Sequence, residues 1–93
     1  MPDSEIGTHE EADREHRDPV AIVVNEQPVE VRGPRITGLE IKEAAIAQGA
    51  PIDVGFQLIE ELSHGRTRVV GNDEVVTVHS GSRFLALAPD DNS

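Results

Sequence analysis

The chain has 93 residues, a formal net charge of −10, two aromatic residues and no cysteine. This makes one small domain with an aliphatic core and excludes disulfides and thiolate metal sites; singly scattered basic residues and the lack of an aromatic platform argue against nucleic acid. An acidic chain is repelled by anionic membrane surfaces, and with no signal-peptide pattern and no stretch long enough to span a bilayer, the expected location is cytoplasmic.

Residues 1–18 hold seven acidic residues, two arginines and only Ile6 among the large aliphatics. Such a segment cannot offset the entropy of ordering itself, so it is expected to be a disordered acidic tail. The folded unit is expected over 19–87, followed by a short flexible tail over 88–93.

Val20–Val24 is a β-branched run of strand length. Asn25-Glu26-Gln27 supplies a turn, and Pro28 sits where a strand begins without donating a hydrogen bond. Val29-Glu30-Val31-Arg32 alternates with period two, so the two runs read as a hairpin ended by Gly33-Pro34.

Thr37, with Glu40 three residues on, is a capping box that opens a helix. Gly49 is the expected end signal and Pro51 prevents continuation. On a helical wheel Ile41, Ala44, Ala45 and Gln48 share one face, while Leu39 and Ile46 point the other way. Next, Val54–Leu62 reads as a strand with Val54, Phe56 and Leu58 on one side. Ser63–Arg66 is a turn, Thr67–Val70 a short strand and Gly71–Glu74 another turn. Val75–Val78 reads equally as a short strand or a 3₁₀ segment, and Arg83–Leu87 is a final strand.

A hairpin, one capped helix and further strands describe an α+β domain with a single helix covering one face of a sheet. The order resembles the β-grasp fold of ubiquitin, a mixed sheet of four to five strands with one helix across one face. Thr37 with Ile41-Lys42 looks like the ubiquitin helix start. Gln48-Gly49-Ala50-Pro51-Ile52-Asp53 is similar to the stretch after that helix, and Gly81–Leu87 to the last strand. More specifically, Asn25-x-x-Pro28-Val29-Glu30-Val31, Thr37–Lys42 and Asp73-Glu74-x-x-x-Val78-His79-x-Gly81-x-Arg83-Phe84 resemble the bacterial multiubiquitin-type domain.

The resemblance implies a ubiquitin-like protein modifier of a bacterial ubiquitination-like pathway, with E1-like and E2-like enzymes, a processing peptidase and target proteins as partners. Its conjugation region would be Leu87, Ala88, Pro89, Asp90, Asp91, Asn92 and Ser93, and Lys42, the only lysine, the acceptor for lysine-linked chains. Modifiers of this kind usually act through a terminal diglycine, and this chain contains none. The alternative is a non-covalent adaptor or a self-assembling interaction module.

No catalytic set, cofactor or metal site is expected. His9 and His16 lack the spacing that places two ligands on one helical face. His64 reads as an exposed turn residue, and His79 as making a structural hydrogen bond. Ser80 and Ser82 read as turn residues without a triad context. Strand parity places Ile59, Leu85 and Leu87 together on the open face of the sheet, the usual docking patch of ubiquitin-like proteins. Leu39 and Ile46 form a second candidate patch, or fill a gap under the loop after the helix.

Overall fold

The computed structural model describes residues 17–89. The segment before residue 17, with His9 and His16, and the terminal Asp90, Asp91, Asn92 and Ser93 lie outside the described residues. Strand β1 spans Asp18–Val24, so regular structure begins one residue before the expected start. It turns through Asn25 and Glu26 into β2, Gln27–Gly33. Both turn residues have positive φ, 51° and 67°, the backbone of a two-residue hairpin turn whose twist matches its strands and that asparagine tolerates well. The pairing Val24↔Gln27 through Asp18↔Gly33 is antiparallel.

After Pro34 comes a three-residue strand that the sequence did not announce, β3, Arg35–Thr37. Helix α1 follows, Gly38–Ala47. Its capping box is formed in both directions: Glu40 N–H donates to Thr37 Oγ1 at 3.1 Å, and Thr37 N–H to Glu40 Oε1 at 2.9 Å. The helix ends in a Schellman arrangement. Gly49 N–H donates to the Ile46 carbonyl and Ala50 N–H to the Ala45 carbonyl, with Gly49 at φ 102°.

Strand β4 spans Gln57–Glu61, shorter than the expected Val54–Leu62. The lost residues form a loop held by side chains: Asp53 Oδ1 accepts from Val54 N–H at 2.7 Å, and Val54 is 41% exposed rather than buried. A 3₁₀ turn at Ser63–Gly65 leads to β5, Thr67–Val70. Val75–Thr77 is a strand, β6, because it finds β3 as an antiparallel partner. The last strand, β7, is Arg83–Leu87.

The main sheet has the order β2-β1-β7-β4-β5, with β3 and β6 forming a separate two-stranded sheet. The final strand lies in the middle, parallel to β1 through Val23↔Arg83 and Val24↔Phe84 and antiparallel to β4. The helix covers one face of this mixed sheet, the β-grasp arrangement. Phe84, Ile22, Ile41, Leu58, Val24 and Val78 are its largest fully buried side chains, each stabilising the fold by about 1.5–3 kcal/mol. Ile41 and Ala45 enter the core as the wheel required, and Ala44 packs at its margin. Gln48 does not: it is exposed, and Lys42 is buried in its stead, 4% exposed. Gly38 starts the helix against the carbonyl of Gly71, where a Cβ would overlap it.

Candidate interaction surfaces

Three strands set the open face. The register pairs Ile59 with Leu85 of β7 and with Val69 of β5, so Val69, Ile59 and Leu85 form one apolar row across β5, β4 and β7. Ile59 and Leu85 are half-buried, while Val69 is 55% exposed. Leu87, 46% exposed, lies one row on, opposite Gln57. The expected trio of Ile59, Leu85 and Leu87 thus shares this face. Val69 was missed, although the β4–β5 hairpin parity that places Ile59 outward places Val69 beside it. On the other flank runs a polar row in which Arg83 Nε donates to Glu61 Oε1 at 3.3 Å.

Beyond Leu87, Ala88 and Pro89 are exposed. The strand before them is anchored on its β1 side as far as Ala86, where the Asn25 side chain takes over from the β1 backbone. The rest of the expected conjugation region lies outside the described residues.

Lys42 is buried, and its amine makes two backbone hydrogen bonds. Nζ donates to the Val54 carbonyl at 2.7 Å and to the Phe56 carbonyl at 2.8 Å. An acceptor amine has to reach an activated carboxyl group, and this one is enclosed between α1 and the loop it ties down. Leu39, expected on the outer side of the helix, is half-buried, and Ile46 is 36% exposed.

Two histidines fall among the described residues. His64 is exposed at φ 63° in the 3₁₀ turn. His79 Nδ1 lies 3.4 Å from the Ser80 carbonyl, and its backbone N–H donates to the buried Ser82 Oγ at 3.0 Å. Among the described residues, no cluster of three His, Asp or Glu side chains is arranged to hold a metal ion, and no helix is long and apolar enough to cross a membrane.

The electrostatics concentrate beside β5. Arg68 lies between Glu60, at 3.2 Å, and Glu74. These two hydrogen bonds raise the guanidinium above its ordinary value, Glu74 contributing most. The Glu74 carboxyl is lowered, first by the Gly71 N–H and then by Arg68.

The edges of the sheet differ. On β2 the outward-facing backbone groups belong to Pro28, Glu30 and Arg32. Pro28 has no N–H, and Glu30 is engaged by the Gln48 carboxamide, which accepts from its N–H at 2.9 Å and donates to its carbonyl at 2.7 Å. On β5 no described strand lies outside Thr67–Val70.

The Multiubiquitin family model matches residues 20–90. No curated protein and no solved structure matches the chain.

Proposed function

The chain belongs to the Multiubiquitin family, and on that premise we propose that it is a ubiquitin-like protein modifier of a bacterial ubiquitination-like pathway. An E1-like enzyme would activate its C-terminus, after trimming by a peptidase where that is needed, and an E2-like enzyme or a target would receive it. The observation that carries this reading is the placement of β7. That strand is the central one of the sheet, it delivers the exposed Ala88 and Pro89 beyond its end, and it carries Leu85 and Leu87 on the open face beside them. A partner that docks on Val69, Ile59 and Leu85 would stand close to the emerging chain. Apolar contacts of this kind, rimmed by charges, suit a transient protein partner.

A second reading, a non-covalent adaptor or self-assembling module, is supported by the lack of a diglycine among the 93 residues. In that reading the same apolar face binds without a covalent adduct.

Incubation of the chain with its E1-like enzyme and ATP, followed by intact-mass analysis, distinguishes the two. The modifier reading expects an adenylate or an enzyme-linked species, and transfer that is lost in Leu85→Asp while the variant remains folded by circular dichroism. Absence of any mass-shifted species, with full-length and trimmed chains alike, overturns it.

A further inference from the structure

The two edges of the main sheet are treated differently. Open edges are templates for another strand, and folded proteins commonly block them with proline, charge or a covering element. The β2 edge is blocked in this way by Pro28 and by the Gln48 bridge to Glu30. On β5, whose charged Arg68 is tied to Glu60 and Glu74, no described strand covers the edge and no proline interrupts it. Its geometry follows from one bond: Leu62 N–H donates to the Arg66 carbonyl at 2.7 Å, which marks that pair as hydrogen-bonded. Alternation then turns the backbone groups of Arg68 and Val70 toward β4 and those of Thr67 and Val69 outward. Val69 also bears the exposed end of the apolar row.

We infer that β5 is a pairing edge for the β5 of a second copy of this chain, antiparallel and centred on Val69. In that register each Val69 N–H donates to the carbonyl of the other Val69. The two side chains meet on the open face and join the rows of both copies into one line, Leu85–Ile59–Val69 continuing into Val69–Ile59–Leu85. Like charges do not face each other: Arg68 stands opposite Val70, Thr67 opposite Gly71 and Arg66 opposite Asn72. A shift by two residues in one copy would set Arg68 against Arg68 and Val69 against Thr67, which is unfavourable on both counts. Gly71 limits the contact, since Glu74 engages both its N–H and its carbonyl. The interface is short and the dimer weak, and because each chain carries a net charge of −10, salt strengthens the association by screening. The inference stands whether or not the chain is conjugated.

The full-length chain serves as its own probe, since it has no cysteine. Residues in a hydrogen-bonded antiparallel pair have Cα atoms about 5.5 Å apart, inside the roughly 4.4–6.8 Å range of a disulfide. Val69→Cys is therefore expected to oxidise to a linked dimer much faster than Val75→Cys, an equally exposed residue on β6. Sedimentation is expected to show monomer converting to dimer between micromolar and millimolar chain, more so at high salt, with amide shifts concentrated at Thr67–Val70. Val69→Lys is expected to weaken the dimer on the order of tenfold with an unchanged circular dichroism spectrum. Sedimentation as a monomer throughout, or equal oxidation at the two cysteine positions, overturns the inference. So does a chain whose β5 amides respond only to an added extended peptide, an outcome that would assign this edge to a different partner.

Discussion

The carboxamide of Asn25 and the backbone of Ala86 are bonded to one another twice. Asn25 Nδ2 donates to the Ala86 carbonyl at 3.1 Å, and Ala86 N–H donates to Asn25 Oδ1 at 2.9 Å. The first turn of the chain is thereby locked to its last strand, 61 residues away. Where β1 bends into β2 it can no longer offer its own backbone, so a side chain continues the parallel ladder in which Val23 N–H donates to the Ser82 carbonyl and Asn25 N–H to the Phe84 carbonyl.

Replacement of Asn25 by Ala removes both bonds and places a less tolerant residue at φ 51°. The expected loss is about 1–3 kcal/mol, read from urea unfolding. Hydrogen exchange at the Ala86 amide is expected to accelerate. Asn25→Asp keeps the acceptor and loses the donor, so it is expected to fall between the two.

Lys42→Met retains the aliphatic stem and removes the amine, leaving the carbonyls of Val54 and Phe56 without their shared donor. The expected cost is about 1–3 kcal/mol. Amide shifts would be concentrated in residues 53–57. A purely exposed lysine would give neither result.

Thr37→Ala dismantles half of the capping box and is expected to cost about 1 kcal/mol, with Thr37→Ser close to the parent. The comparison of thermal midpoints checks both.

Gly38→Ala places a methyl group against the Gly71 carbonyl and the Val70 side chain. Backbone lies on one side, so relief requires α1 to shift away from the turn after β5. A destabilisation of about 1–3 kcal/mol is expected in spite of the better helix propensity of alanine, and urea midpoints measure it.

The carboxyl of Glu74 is held below its ordinary value of 4.5 by the Gly71 N–H and by Arg68. A lowered value in the folded state means that the contribution is fully present above the unfolded value and is lost as pH falls through the folded one. Urea midpoints are therefore expected to decline on acidification below pH 4.5. The decline is expected to be shallower in Glu74→Gln. The group is exposed, so the difference between the slopes is small and reads out best at low salt.

The legible parts of the fold were those written in short-range signals. The Thr37–Glu40 box, the glycine at position 49 and the alternation through β2 each depend on residues a few positions apart, and each is present. What escaped depended on distant partners. Residues 35–37 went unannounced and 75–77 stayed divided between a strand and a 3₁₀ segment, and both become strands by pairing with one another. The wheel put Gln48 inside and did not place Lys42, because a wheel carries no information about carbonyls at positions 54 and 56 or an open amide at position 30. Parity predicted Ile59 and Leu85 on one face. Adding Val69 required the register of β4 against β5, which the turn at 63–66 already encodes through its length.

Pro28 and Gln48 set the valence of the sheet. A subunit with both margins free would add neighbours left and right without end, the growth law of a fibre. With one margin sealed by Pro28 and by the Gln48 carboxamide on Glu30, a subunit that pairs through β5 would terminate after one addition. Substitution of both Pro28 and Gln48 would accordingly be the change most apt to convert a finite particle into an endless one.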